Sequence, residues 1–175
     1  MVTLAPFAVS ASAVARPSPE APPVTRAALP SMSMVAPFSE NERVDAAAFT
    51  ELERRAAEVA ERAYAPYSGF RVGAALRTVM GGVYVGANLE NGSYGLTNCA
   101  ERAAVAAAVA AEGPSTRIEA VAIVHPGAEP CSPCGACRQV LVELAAPGAM
   151  VRYRAPEGPT IRPLAELLPD TFTLP

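Results

Sequence analysis

Asn98-Cys99-Ala100-Glu101-Arg102 and, further along, Pro133-Cys134-Gly135-Ala136-Cys137-Arg138-Gln139 are the stretches on which the rest of this chain depends. Each opens a helical pattern. Asn98 is the expected N-cap of a helix that runs through an alanine-rich stretch to Glu112 and stops at Gly113-Pro114. The second helix is expected to begin near Cys134 and to end before Pro147-Gly148. Helix N-termini carry unpaired N–H groups and a partial positive charge, which favour the thiolate that a metal needs. Cys134 and Cys137, three residues apart, share one helix face and can reach the ion that Cys99 reaches. Three ligands leave a fourth tetrahedral position for water, which separates a catalytic Zn2+ from a closed structural one. Three thiolates on a divalent ion leave the centre at about −1. Two helix N-termini, at roughly half a positive charge each, and the Arg102 guanidinium beside a thiolate offset that excess. Glu101 is then not needed as a ligand and is free to carry protons.

Working outward, Asp45 is the expected cap of a helix to about Ala63, with Phe49, Leu52, Ala56, Val59, Ala60 and Ala63 on its apolar face. Its charged residues, from Glu51 to Arg62, read as a solvated face. After Pro66 come a turn at Pro66-Tyr67-Ser68-Gly69, a strand from Phe70 to Thr78, a turn at Gly81-Gly82 and a strand from Val83 to Gly86. Residues Asn88 to Gly95 are polar and glycine-punctuated, hence a loop. Ile118 to Val124 is a buried central strand interrupted only by Glu119. Met150 to Tyr153 and Leu164 to Leu168 complete the pattern as a strand and a short terminal element. The result is a mixed sheet with helices on its faces.

At 175 residues the chain has room for one core, and a net charge of −3 provides no basic field for a nucleic-acid polymer. A small, neutral substrate fits better. Cysteines at 131, 134 and 137 are too closely spaced for useful disulfides and suit a metal in a reducing compartment. No apolar run reaches the roughly 18 residues needed to cross a membrane, and no secretory signal is recognisable. Residues 1–40, rich in Ala, Pro and Ser, read as a disordered extension to a catalytic domain spanning 41–175; alternatively, Met32 or Met34 is the true start.

From about Tyr64 to Phe172 the chain closely resembles the small cytidine deaminase family. The resemblance rests on Tyr67 to Leu76, Asn88-Leu89-Glu90-Asn91, Cys99-Ala100-Glu101-Arg102, Pro133 to Gln139 and Leu167-Leu168-Pro169, in that order. A cysteine, Cys99, stands where other zinc deaminases often have histidine, as in the all-cysteine, homotetrameric type. The resemblance implies a three-layer α/β/α cytidine deaminase-like fold with a mixed five-stranded sheet, one strand more than the pattern above places. It implies zinc held by Cys99, Cys134 and Cys137, with Glu101 moving protons during hydrolytic deamination of cytidine and deoxycytidine in cytoplasmic pyrimidine salvage. It further implies that Asn88 and Glu90 bind the ribose hydroxyls, that Phe70 packs on the pyrimidine and that the Ala100 backbone reads the base. Phe172 is expected to reach a neighbouring subunit's site, and Tyr67 and Tyr94 to lie near subunit contacts.

Rival readings attach to single residues. Cys131 would complete a closed four-cysteine zinc interaction module, or an iron–sulfur cluster by its spacing, but neither rival explains Glu101 or the Asn88/Glu90 pair. A deaminase of a modified nucleoside such as blasticidin S is the nearest enzymatic alternative, against which the Asn88 to Asn91 loop argues. His125, the one histidine, reads as a loop or interface residue. The alanines from Ala103 to Ala111 read as a surface for close helix packing.

Overall fold

The structure, a computed structural model, describes residues 46–127 and 129–172. The expected disordered extension and the Asp45 cap lie outside these residues. The first helix, α1, spans Ala46–Ala60 and buries Phe49, Leu52, Ala56 and Ala60. It ends one turn before Ala63, while Val59 is half-buried. Glu51 bridges to Arg54 and Arg55 within the helix, so this charged face is solvated as expected.

Strands β1 (Gly73–Thr78) and β2 (Val83–Ala87) form the hairpin. β1 starts three residues later than its apolar alternation suggests, because the Asn88 side chain takes up Phe70 O and Val72 N–H in place of a strand partner. It also lacks an exposed face. Gly73, Ala74, Ala75 and Leu76 are all buried, since α1 packs on one side of β1 and α2 on the other. Helix α2 spans Ala100–Glu112, β3 Ile118–Val124 and α3 Gly135–Glu143. Glu119 is accommodated in β3 by an ion pair with Arg77 across the β1–β3 ladder.

Strand β4 is far longer than the expected Met150 to Tyr153, running Ala145–Ala155 directly from the end of α3. Pro147-Gly148 falls inside it, where the pairing with β3 shifts register and Gly148 has a φ of 78°. The fifth strand, β5 (Gly158–Pro163), is the one that the residue pattern misses. Pro159 and Pro163 argue against a strand, yet proline is tolerated at a sheet edge, which is where β5 lies. A short α4, Leu164–Leu167, follows.

The sheet order is β2-β1-β3-β4-β5, antiparallel except between β3 and β4. One core lies between the sheet and α1, around Phe49, Leu52, Ala75 and Ala120. The other lies on the α2 side, around Leu76, Ala104, Val121, Leu141 and Leu164. This is the expected three-layer α/β/α arrangement. Two glycines set its spacing. A Cβ on Gly73 would sit 1.9 Å from the Ala56 carbonyl oxygen, and one on Gly86 2.4 Å from the Ala100 oxygen and the Ala104 nitrogen. Gly86 together with the small residues of α2 therefore seats that helix, and with it the Cys99 end, hard against β2.

Candidate active site

The two cysteine motifs meet at two helix starts. Cys99 is the N-cap of α2, with φ −75° and ψ 155°, and Cys134 is the N-cap of α3, with φ −69° and ψ 166°. Asn98 is thus not the cap. Its backbone N–H donates to Leu89 O and its C=O accepts from Leu89 N–H, both at 2.9 Å, so it is committed to the preceding loop. The shift moves Cys99 one residue outward, from the first turn to the cap position that Cys134 holds on α3.

The Sγ atoms of Cys99, Cys134 and Cys137 all lie within 4.8 Å of one another, and those of Cys99 and Cys134 are 4.0 Å apart. Tetrahedral zinc–sulfur bonds of about 2.3 Å place two ligands about 3.8 Å apart, so the donor set fits zinc in chemistry and in size. Protonation points the same way. The Cys137 thiol, with help from Arg102 and Cys134, draws Cys99 down to about 5. Cys137, the partner that keeps its proton beside the Cys99 thiolate, is pushed up. Three adjacent sulfurs share one negative charge easily and three with difficulty. A divalent cation removes that repulsion.

Arg102 lies where the charge argument requires it. Its Nη2 donates to Thr97 O at 2.8 Å and approaches Cys99 Sγ at 3.8 Å, while its buried Nε has no hydrogen-bond partner. Glu101, in the first turn of α2, is 5% exposed. Burial raises its carboxyl above the ordinary range, and the Cys99 thiolate adds to the rise. A carboxyl raised in this way holds a proton more readily than an exposed one, as a group that shuttles protons must.

Cys131 stands apart. It is buried beside the cluster but outside the three-sulfur group, and its N–H donates to Arg154 O at 2.8 Å. Desolvation pushes its thiol up to about 12, so it remains protonated at neutral pH. The closed four-cysteine site and the four-thiolate cluster are both disfavoured by this placement.

A cavity of about 440 Å³ opens over the cluster, and its lining includes Phe70, Asn88, Glu90, Cys99, Ala100 and Glu101. The sequence-predicted residues are therefore brought together, except Phe172, which is 69% exposed and outside this lining. Ala100 is the first residue of α2, where helix geometry leaves the N–H without an intrahelical acceptor. Asn88 also shapes the backbone around it. Its Oδ1 accepts from Val72 N–H at 2.8 Å and its Nδ2 donates to Phe70 O at 2.9 Å. The Glu90 carboxylate accepts from the Ser68 hydroxyl and from Tyr67 N–H, and both bonds hold its pKa below the usual value.

Three residues inside the stretches that carry the family resemblance have no role assigned by the sequence. Ser68 fastens the turn to Glu90. Arg138 ties the ligand loop to the C-terminal segment, with Nε donating to Pro133 O at 2.8 Å and Nη1 to Leu167 O at 2.9 Å. Next to it, Gln139 Nε2 donates to Phe172 O at 3.1 Å. Arg138 and Gln139 lie directly after Cys137, at the end of the Pro133 to Gln139 motif.

Residues 49–152 match the family described as the cytidine and deoxycytidylate deaminase zinc-binding region. A cytidine deaminase of Halalkalibacterium halodurans is 46% identical over 123 residues, covering 70% of this chain and 92% of the relative. One from Mycobacterium tuberculosis is 44% identical, covering 70% and 88%. The crystal structure of cytidine deaminase from Burkholderia pseudomallei superposes with a TM-score of 0.63 at 46% identity, covering 70% of this chain and 98% of that one. Three clustered thiols, a buried glutamate beside them, the fold and these likenesses agree, and the chain belongs to the cytidine and deoxycytidylate deaminase zinc-binding family.

Proposed function

We propose that this enzyme, a zinc-dependent cytidine deaminase, converts cytidine and deoxycytidine with water to uridine and deoxyuridine, releasing ammonia. The observation that carries the assignment is the placement of Glu101, a buried carboxyl next to three clustered thiols and open to the same cavity as Phe70, Asn88 and Glu90. Cys99, Cys134 and Cys137 would hold the zinc, which when bound supplies Lewis acidity and lowers the pKa of water. Glu101 takes a proton from the attacking water and gives it to the ring nitrogen next to the reacting carbon. It then delivers the second proton to the departing amine. Ala100 N–H orients the base, Phe70 packs against its face, and Asn88 and Glu90 hydrogen-bond the ribose hydroxyls. Arg102 steadies the thiolates.

The catalytic domain in this reading is residues 41–175, with 1–40 as an appendage. Tyr67 and Tyr94, which line a hollow sharing Ser68 and Glu90 with the cavity, are 61% and 85% exposed, and Leu96 and Phe172 are each 69% exposed. Large apolar groups left exposed favour burial against further copies of the chain, and we assign a homotetramer in which Phe172 reaches a neighbour's pocket. A cytoplasmic salvage role is consistent with four free cysteines and with the absence, among the described residues, of a helix long and apolar enough to cross a membrane. The test is the loss of cytidine absorbance with purified protein. Turnover that stops with a strong chelator and returns with zinc is expected; turnover indifferent to zinc would overturn the assignment. Sedimentation at the mass of one chain would overturn the tetramer alone.

A further inference from the structure

His125 follows the last residue of β3, and β3 runs antiparallel to β1 with Val124 opposite Gly73. Continuing that register puts His125 beside the residues that precede β1, which include Phe70. The two rings are stacked, with centroids 4.0 Å apart and planes 19° from parallel. The imidazole side chain is only 12% exposed. Its Nδ1 accepts from Gly127 N–H at 3.0 Å, which restrains the ring's rotation. Glu129 Oε2, 3.2 Å from the same Nδ1, is the charged group facing it.

Phe70 has two faces, and His125 covers one while the residue also lines the cavity over the cysteine cluster. Its backbone is held separately, by the Asn88 side chain at Phe70 O. Nothing in that bond restrains the ring. We propose that His125 is a positioning residue for nucleoside binding, a flat backing plate that holds the Phe70 ring in the orientation that the pyrimidine meets. The proposal rests on the reading of Phe70 as the surface on which the base packs. Because the support acts on ground state and transition state alike, its loss weakens binding and leaves the chemical step alone.

The test measures KM and kcat for cytidine, with zinc content and melting temperature as controls, in His125→Ala, His125→Phe, His125→Leu, Phe70→Ala and the double variant His125→Ala/Phe70→Ala. His125→Ala is expected to raise KM about three- to tenfold, the scale of one aromatic pair, with kcat within about twofold of the parent. His125→Phe keeps a flat ring and should retain the parent KM, whereas His125→Leu, of similar bulk without a flat face, should behave like His125→Ala. In the Phe70→Ala background, removing His125 should add nothing further. If Phe70→Ala raises KM but His125→Ala and His125→Leu do not, the proposal is overturned and the reading of Phe70 stands. Recovery by leucine as complete as by phenylalanine would also overturn it, by showing that bulk alone is needed. If Phe70→Ala itself leaves KM unchanged, the reading of Phe70 fails and takes the role of His125 with it. Should His125→Ala not fold, the phenylalanine and leucine variants still decide the matter.

Discussion

The two ends of the cavity are built differently. At the metal end, Cys99, Glu101, Cys134 and Cys137 stand at the N-termini of α2 and α3, and two of the four are buried. At the end where the nucleoside is proposed to bind, Ser68, Phe70, Asn88 and Glu90 lie outside or at the ends of regular elements, held by side-chain hydrogen bonds to backbone. Charge has to be placed to fractions of an ångström for proton transfer, and helix ends packed on a sheet provide that rigidity. A nucleoside has to enter and leave, and pinned loops permit it. If this contrast holds, damage at the metal end should appear in kcat and metal content, and damage at the other end in KM.

The largest effect is expected at Glu101. Glu101→Gln keeps the shape and removes the proton carrier, so turnover should fall by about 10³-fold with zinc still bound, as read by elemental analysis and the cytidine assay. Comparable turnover in the variant would remove Glu101 from the mechanism. Next comes Arg102, whose guanidinium touches the Cys99 thiolate. Arg102→Gln should weaken zinc binding about 10- to 100-fold, measured by competition with a chromogenic chelator. An unchanged affinity would mean that the helix N-termini alone offset the thiolate charge.

At the opposite end, Asn88→Ala should raise KM about tenfold and lower stability by about 1–3 kcal/mol, because Val72 N–H and Phe70 C=O both lose their partner. Zinc content should not change. A loss of metal in this variant would break the proposed separation of the two ends, since it would show that the loop scaffold also sets the thiolate geometry.

The same contrast explains which parts can be read directly from sequence. Helix ends announce themselves through capping, Gly-Pro stops and residue spacing, and the ligand triad and Glu101 follow from those signals. The cap of α2 reads one residue early because Asn98 has the better capping side chain, and only the tertiary bridge to Leu89 withdraws it. β5 escapes because its prolines oppose strand formation everywhere except at an edge, and edge position is a property of the whole sheet. At the other end the one periodic signal, the alternation that begins at Phe70, announces β1 and nothing of a site. Ser68 to Glu90 and Phe70 to Asn88 are contacts between turns far apart in sequence, and only the likeness to the family draws attention to Phe70, Asn88 and Glu90. The place of His125, opposite Phe70, depends on the β1–β3 register for the same reason.

The smallest expected effect belongs to Cys131, and it tests the boundary between the two ends. This residue lines the cavity yet stays outside the sulfur cluster, its thiol protonated because burial disfavours the charge. Replacing it with alanine removes one buried sulfur and opens little space, so a stability loss of about 1 kcal/mol is expected. Zinc should remain at one equivalent, and kcat should stay within about twofold of the parent, since neither the three-thiolate set nor Glu101 depends on it. A Cys131→Ala protein without metal would mean that the fourth cysteine moves in to close the site. The open coordination position from which the hydrolytic reading follows would then be lost, and with it the distinction between an enzyme and a zinc-stabilised module.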